Sequence, residues 1–297
     1  MTSGLKEFAA TMPGETTLDR AALLIGRIGR IGSLGSNERE LALAPYLAQL
    51  DALAASVQQI IDRAEPGIER GLSRPLSGGG ATGFTPAARS SHGPEHGANE
   101  RTLGAGPEHG ANERTLGAGP IQRAKAICTV LFDDAGFRGN EADYYDPRNS
   151  FLSCVLDRKL GLPITLGILY LEVARRVGVL AQGVNFPGQF IVRVAVEDAW
   201  MFIDVFNNGK ILTPSELEGL VKKFVGPDAK LEPRLVAAAS KRQILTRLLT
   251  NLAGIYGKSG DLDRSMAVLE HMAIVDPDNN RLSRELASLR ERINTLN

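Results

Sequence analysis

Apolar residues occupy almost every face of residues 164–177: Ile164, Leu166, Ile168, Leu169, Leu171, Val173, Ala174 and Val177. A helix that is apolar nearly all round is a buried helix. Pro163 suits the first helical position, because the N–H it lacks would be unpaired there. Three short runs of strand-like composition follow, over residues 180–185, 190–196 and 200–206. A buried helix followed by a small antiparallel sheet predicts an α+β core.

Before this core the pattern is weaker. Residues 1–16 show no periodicity and are expected to be disordered. Thr17 is placed to cap a helix over residues 18–25, whose far end is weakened by Gly26, Gly29 and Gly32. Residues 41–69 predict a second helix, with Tyr46, Leu47, Leu50, Leu53, Ala54, Val57, Ile60 and Ile61 on one face. The two helices bury too little to fold alone and are expected to pack on the later core. Residues 71–120 are dominated by Gly, Ser, Pro and Ala, and a direct repeat runs from 93–105 into 106–118. A unit this poor in apolar residues reads as a disordered insert, and His92, His96 and His109 within it as incidental. Helix returns over residues 121–135, where Cys128 shares a face with Ala124, Ile127, Leu131 and Phe132 and reads as a buried, inert thiol. A loop over 136–149 then ends at Asn149 or Ser150, either of which can cap the next helix.

After the strands, residues 207–210 form a turn, and Thr213 with Glu216 forms a capping box for another helix. A mixed connector spans 221–235. From Ser240 onward the chain is helical, with Leu249, Leu252, Ala253, Tyr256, Gly260, Leu269 and Pro277 at the spacing of a tetratricopeptide repeat. Ser265 and Met272 stand where small alanines are usual. A last helix over 280–293 caps the array, and His271 reads as a packing or surface histidine. The expected organisation is an N-terminal helical segment (1–70), the insert (71–120), the α+β domain (121–239) and the C-terminal helices (240–297).

Composition narrows the function classes. The chain has 297 residues, 43% of them hydrophobic and 5% aromatic. Lys plus Arg and Asp plus Glu both number 34, and the zero net charge speaks against nucleic acid as a partner. Two cysteines make no disulfide framework and suit a reducing compartment. No signal peptide and no membrane-length apolar run is visible, so a cytoplasmic protein with no membrane contact is expected. No metal or other cofactor is expected, a metal-binding tract over His92, His96 and His109 being the lesser alternative, and nothing fixes the oligomeric state.

The order of buried helix, base strand and carboxylate strand is the one a papain-like or transglutaminase-like Cys-His-Asp site uses. A thiolate at the helix N-terminus is held by the helix dipole, with a base and a carboxylate on successive strands. Here Thr165 stands at the helix start and Gln189 at the base position; only Asp204 has the expected type. Gln189 has no usable proton equilibrium and cannot act as a general base. Thr165 would need an adjacent base, and none is visible. Cys154 is the one cysteine near in sequence. It is expected inside the preceding helix, away from a helix start and flanked by Leu152, Val155 and Leu156, and so a poor nucleophile. Arg148, Asn149, Pro163, Pro187, Gly188 and Asn207 complete the candidate cleft, with Arg148 either an anion contact or a loop-fixing group.

The runs 136–140 (GFRGN), 144–152 (YYDPRNSFL), 161–166 (GLPITL), 183–188 (GVNFPG) and 202–204 (FID) resemble the bacterial SirB-type proteins. The resemblance covers residues 17–65 and 121–295. It implies a transglutaminase-like domain joined to tetratricopeptide-like helices. That family usually carries Pro-Gly-His-Phe where this chain has Gln189. The expectation is a non-catalytic transglutaminase-like protein that binds a protein or peptide partner, as an interaction or regulatory module. The alternatives are a cysteine-dependent hydrolase or transamidase with a rearranged site, and a C-terminal tail that only props up the core.

Overall fold

The computed structural model describes residues 2–13, 17–31, 42–64 and 118–296. In chain order these form α1 (Ser3–Ala10), α2 (Leu18–Ile25) with a 3-10 turn (Gly26–Arg30), and α3 (Ala44–Ala64). Next come α4 (Pro120–Cys128) with a π-helical extension (Thr129–Asp134), β1 (Arg138–Gly139), a 3-10 turn (Pro147–Ser150), α5 (Leu152–Arg158) and β2 (Leu160–Gly161). Then follow α6 (Pro163–Arg176), β3 (Ala181–Val184), β4 (Ile191–Val196), β5 (Ala199–Asp204), β6 (Lys210–Leu212) and α7 (Pro214–Phe224). A 3-10 turn (Pro233–Val236) leads to α8 (Lys241–Ser259), α9 (Leu262–Val275) and α10 (Asn280–Leu296). The insert expected over 71–120, with its three histidines, lies outside the described residues except for its last three.

The central helix α6 is buried on all sides, and α2, α3, α4, α8, β3 and β4 pack around it. The sheet is antiparallel in the order β3-β4-β5-β6, with Val192 opposite Ile203 and Phe202 opposite Leu212. Its strands alternate. Val192, Val194 and Ile203 join the core around α6, whereas Val184, Ile191, Phe202 and Leu212 pack with Leu217 and Val221 of α7. Burying each such side chain is worth roughly 1.5–3 kcal/mol. Gly167 is what lets β4 approach: a methyl group there would overlap the Phe190 ring. Strand β6 was not anticipated, being three residues long and paired only with β5.

Four expectations need correction. Residues 3–10 are helical, because α9 supplies the apolar partner that a short stripe of Leu5 and Phe8 cannot find locally; Phe8 is buried, 4.7 Å from the His271 ring. The helix of residues 121–135 changes pitch at Thr129. Helix α5 is capped at Phe151, with no side-chain cap, while Asn149 and Ser150 belong to the 3-10 turn, which Asp146 caps. Thr17 does stand at the start of α2, but its hydroxyl donates to Asp19. The capping is done from α6, where buried Glu172 accepts the backbone N–H groups of Leu18 and Asp19.

At the C-terminal end, Ser240 and Gln243 form a capping box for α8, which buries Ile244, Leu245, Leu248, Leu249, Leu252 and Tyr256. These side chains join the same core as α6. Helices α9 and α10 close a smaller cluster of Leu269, Leu282, Leu286 and Leu289. Among the described residues no helix is long and apolar enough to cross a membrane.

Candidate functional site

Thr165, in the first turn of α6, is wholly buried, and its hydroxyl donates to the Asn149 carbonyl at 2.8 Å. Asn149 is also wholly buried. Its side-chain amide donates to the carbonyls of Asp143 and Tyr144 and accepts from Asn140, while its backbone carbonyl also accepts from Leu162. The two residues fasten the 140–146 loop to the start of the central helix behind Pro163, itself buried.

Asp204 closes β5. One carboxylate oxygen accepts the backbone N–H groups of Phe206 and Asn207, and the other accepts the Asn207 side-chain amide at 2.7 Å. The carboxylate is thus committed to the turn into β6. Gln189 lies in the turn between β3 and β4. Its backbone N–H donates to Phe186, and its side-chain Nε2 is buried without a partner. That turn needs Gly188, whose φ is +74° and whose missing side chain leaves room for the Phe224 ring. No hydrogen bond joins Thr165, Gln189 and Asp204 among the described residues.

Arg148 is spent on its own loop: its guanidinium pairs with Asp146, which Arg158 also reaches at 3.0 Å. Burial raises the Asp146 carboxyl, but the hydrogen bonds and charges of Arg148 and Arg158 outweigh it and hold the group below its usual range.

Cys154 differs from expectation. It is the third residue of α5, in the first turn, because α5 begins only at Leu152. It lines a cavity of about 450 Å³ with Arg148, Tyr46, Asp157, Tyr256 and Arg264. A helix start and nearby arginines favour a thiolate. Burial nevertheless dominates and pushes the thiol up, more than Ser153, Arg158 and Arg148 pull it down. Cys128 is pushed up to about 12, again chiefly by burial. A larger cavity, about 590 Å³, lies between α1 and α9 and is lined by Leu5, Arg27, Glu270 and His271. Among the described residues no group of three or more His, Cys, Asp or Glu side chains is placed to hold a metal ion.

Arg247 and the aromatic group around Tyr144 were not among the candidate residues. Arg247 of α8 donates from Nη1 to the Phe186 carbonyl at 3.1 Å, the same oxygen that accepts from the Gln189 backbone. Tyr144 meets Phe206 edge-on at 6.0 Å and Tyr145 at 5.5 Å, and both tyrosines are exposed. Lys258 lies over the Tyr145 ring at 5.1 Å. One signal was available in the sequence: Arg247 interrupts the apolar stripe of Ile244, Leu245, Leu248 and Leu249. A charge held beside buried positions asks for a partner or a ligand.

The comparisons with known proteins bear on the same region. A family profile described as Transglutaminase-like superfamily matches residues 44–250. A UPF0162 protein of Xylella fastidiosa strain 9a5c is 38% identical over 156 residues, covering 52% of this chain and 56% of that protein. A UPF0162 protein of Vibrio cholerae is 30% identical over 131 residues, 44% of this chain and 48% of that protein. Human F-box only protein 21 is 35% identical over 148 residues, 47% of this chain and 22% of that protein. The match thus spans about half the length of the bacterial relatives. No solved structure matches.

Proposed function

The chain belongs to the transglutaminase-like superfamily, and from that premise we propose that it is a non-catalytic member acting as a protein-interaction or regulatory module. One observation carries the proposal. Thr165, which holds the nucleophile position at the helix start, is sealed at 0% exposure with its hydroxyl donated to the Asn149 carbonyl. A hydroxyl so placed meets no substrate and has no base beside it. Gln189 at the base position and Asp204, taken up by a turn, agree with this. In this reading residues 121–239 are the transglutaminase-like domain, braced by the helices of 1–70. Residues 240–297 are a tetratricopeptide-like extension of the SirB type that offers a second contact surface for a protein partner in the cytoplasm.

Cys154 favours a second reading, a cysteine-dependent hydrolase or transamidase with a rearranged site, because it stands in the first turn of α5 and lines a cavity. Its upward-shifted thiol argues against it. The test is incorporation of a fluorescent primary amine into casein by the purified full chain, alongside casein hydrolysis. Neither should exceed the heat-denatured control. A thiol-dependent activity abolished by Cys154→Ala would replace the first reading with the second.

A further inference from the structure

Arg247 is half-buried in α8, yet it makes one hydrogen bond, to the neutral Phe186 carbonyl, and no ion pair among the described residues. Other arginines held in the fold are compensated. Arg176 pairs with Asp19, Asp51 and Glu172, and Arg158 pairs with Asp146. Arg193 spends its donors on Gln182 and Val236 and stacks on Trp200 at 4.1 Å. A guanidinium carries five N–H donors in a planar fork. Arg247 uses one against the protein, and burial alone lowers its pKa, with only the Tyr144 phenol acting against that.

The second donor beside it is independent of the first. Gln189 Nε2 is buried and has no acceptor, and a buried amide N–H without a partner is rare in a native structure. The backbone of Gln189 and the guanidinium of Arg247 meet at one atom, because the Phe186 carbonyl accepts from the Gln189 N–H at 3.2 Å and from Arg247 at 3.1 Å. The carboxylate of Asp204 is committed to Phe206 and Asn207. Exposed Tyr144 lies within electrostatic reach of Arg247, and exposed Tyr145 packs edge-on against Tyr144.

We infer that Arg247, together with Gln189 and Tyr144, binds a carboxylate carried by a peptide. A planar carboxylate matches the guanidinium fork, and a turn of the partly exposed Gln189 side chain brings its spare amide N–H to the ligand. One compensating charge fits a monoanion, whereas a phosphate dianion would leave surplus negative charge half-buried. The tyrosine faces suit an apolar or aromatic side chain next to the carboxylate. This deepens the proposed function and rests on its reading of the domain as a binding module. The degenerate base position becomes a recognition donor.

The test is an NMR titration of the ¹⁵N-labelled full chain with four probes. These are N-acetyl-Tyr-Glu-amide, N-acetyl-Gln-Tyr with a free terminal carboxylate, the neutral N-acetyl-Tyr-Gln-amide, and inorganic phosphate. At least one acidic peptide should shift the Arg247 Nε–H and Gln189 side-chain signals and bind about tenfold or more tighter than the neutral peptide, as a charge-assisted hydrogen bond allows. The two acidic probes tell a side-chain from a terminal carboxylate. Arg247→Gln should remove the preference for acid. If that variant melts early, Gln189→Glu serves instead, since its own carboxylate should exclude the acidic probes. Equal binding of the neutral peptide, tighter binding of phosphate, no shift with any probe, or an acid preference that survives in the variants would overturn the inference. Equal binding of the neutral peptide would leave the interaction module standing. Transamidation of casein would remove that module whatever the titration gives.

Discussion

Glu172 Oε1 accepts the backbone N–H of Leu18 at 3.0 Å, so a carboxylate in the middle of the central helix caps a helix 154 residues earlier in the chain. The same group accepts from Asp19, Arg175 and Arg176. A charge at 3% exposure is tolerable only because four donors, two of them on guanidinium groups, surround it. Glu172→Ala leaves two N–H groups of α2 without a cap and removes a counter-charge from Arg176. The expected loss is about 2–4 kcal/mol by urea unfolding, with Glu172→Gln between the variant and the parent. An alanine variant within about 0.5 kcal/mol of the parent would show that the cap is dispensable.

Gly167 faces the Phe190 ring where α6 crosses β4. Phe190 is buried against the same core and cannot swing into solvent. Gly167→Ala should therefore destabilise, by about 1–3 kcal/mol, although alanine is the better helix former. A stabilised variant in thermal melts would mean that the ring moves freely.

The central helix was legible because periodicity needs no partner: Pro163 and the apolar run of 164–177 specify a buried helix wherever it packs. The three strands were legible to within a residue or two, except β6, which is too short to show a period. The capping of α2 was not legible, since its acceptor, Glu172, is remote in sequence and Thr17 offered a local substitute. Helix α1 was missed for a similar reason, because its two buried residues depend on α9. At the site, the identities of Thr165, Gln189 and Asp204 were readable and their partners were not. Arg247 lies 58 residues beyond Gln189, and only the fold brings the two to one carbonyl.

Helices α8 to α10 should be part of the fold's stability. Leu245, Leu248, Leu249 and Leu252 are wholly buried in the core that contains α6. At roughly 1.5–3 kcal/mol each, they match the whole net stability of an ordinary domain, about 5–15 kcal/mol. Truncation after Ser240 should give a chain that aggregates or melts well below the parent. A soluble 1–240 fragment with an unchanged melt would mark the tail as independent.

The two thiols should react in a set order with iodoacetamide at neutral pH. Both are shifted up by burial, Cys128 to about 12. Only the thiolate is nucleophilic, so both should alkylate more slowly in the native protein than a free cysteine, and Cys128 more slowly than Cys154. Mass spectrometry of timed digests gives the rates. Cys154 outpacing free cysteine would signal an activated thiolate.

His271 should make stability depend on pH above the range where carboxylates titrate. Its ring is buried against Phe8, its Nδ1 lies 2.7 Å from the Ala267 carbonyl, and burial, with Arg27 adding to it, brings the imidazole down to about 4. The hydrogen bond to Ala267 opposes that shift without cancelling it. A folded pKa below the unfolded value means that the unfolded chain takes up the proton first. The stability tied to neutral His271 is therefore fully present above the ordinary imidazole pKa of about 6.5, and it is lost as pH falls from there toward 4. The loss across that window is at most about 3 kcal/mol. Urea midpoints at pH 7.5, 6 and 5 should fall steadily for the parent and less steeply for His271→Leu. The difference in slope isolates this residue from other titrating groups, including Glu172, whose burial-raised pKa acts in the opposite direction. Parallel slopes for the two proteins would show that His271 titrates as an exposed histidine does.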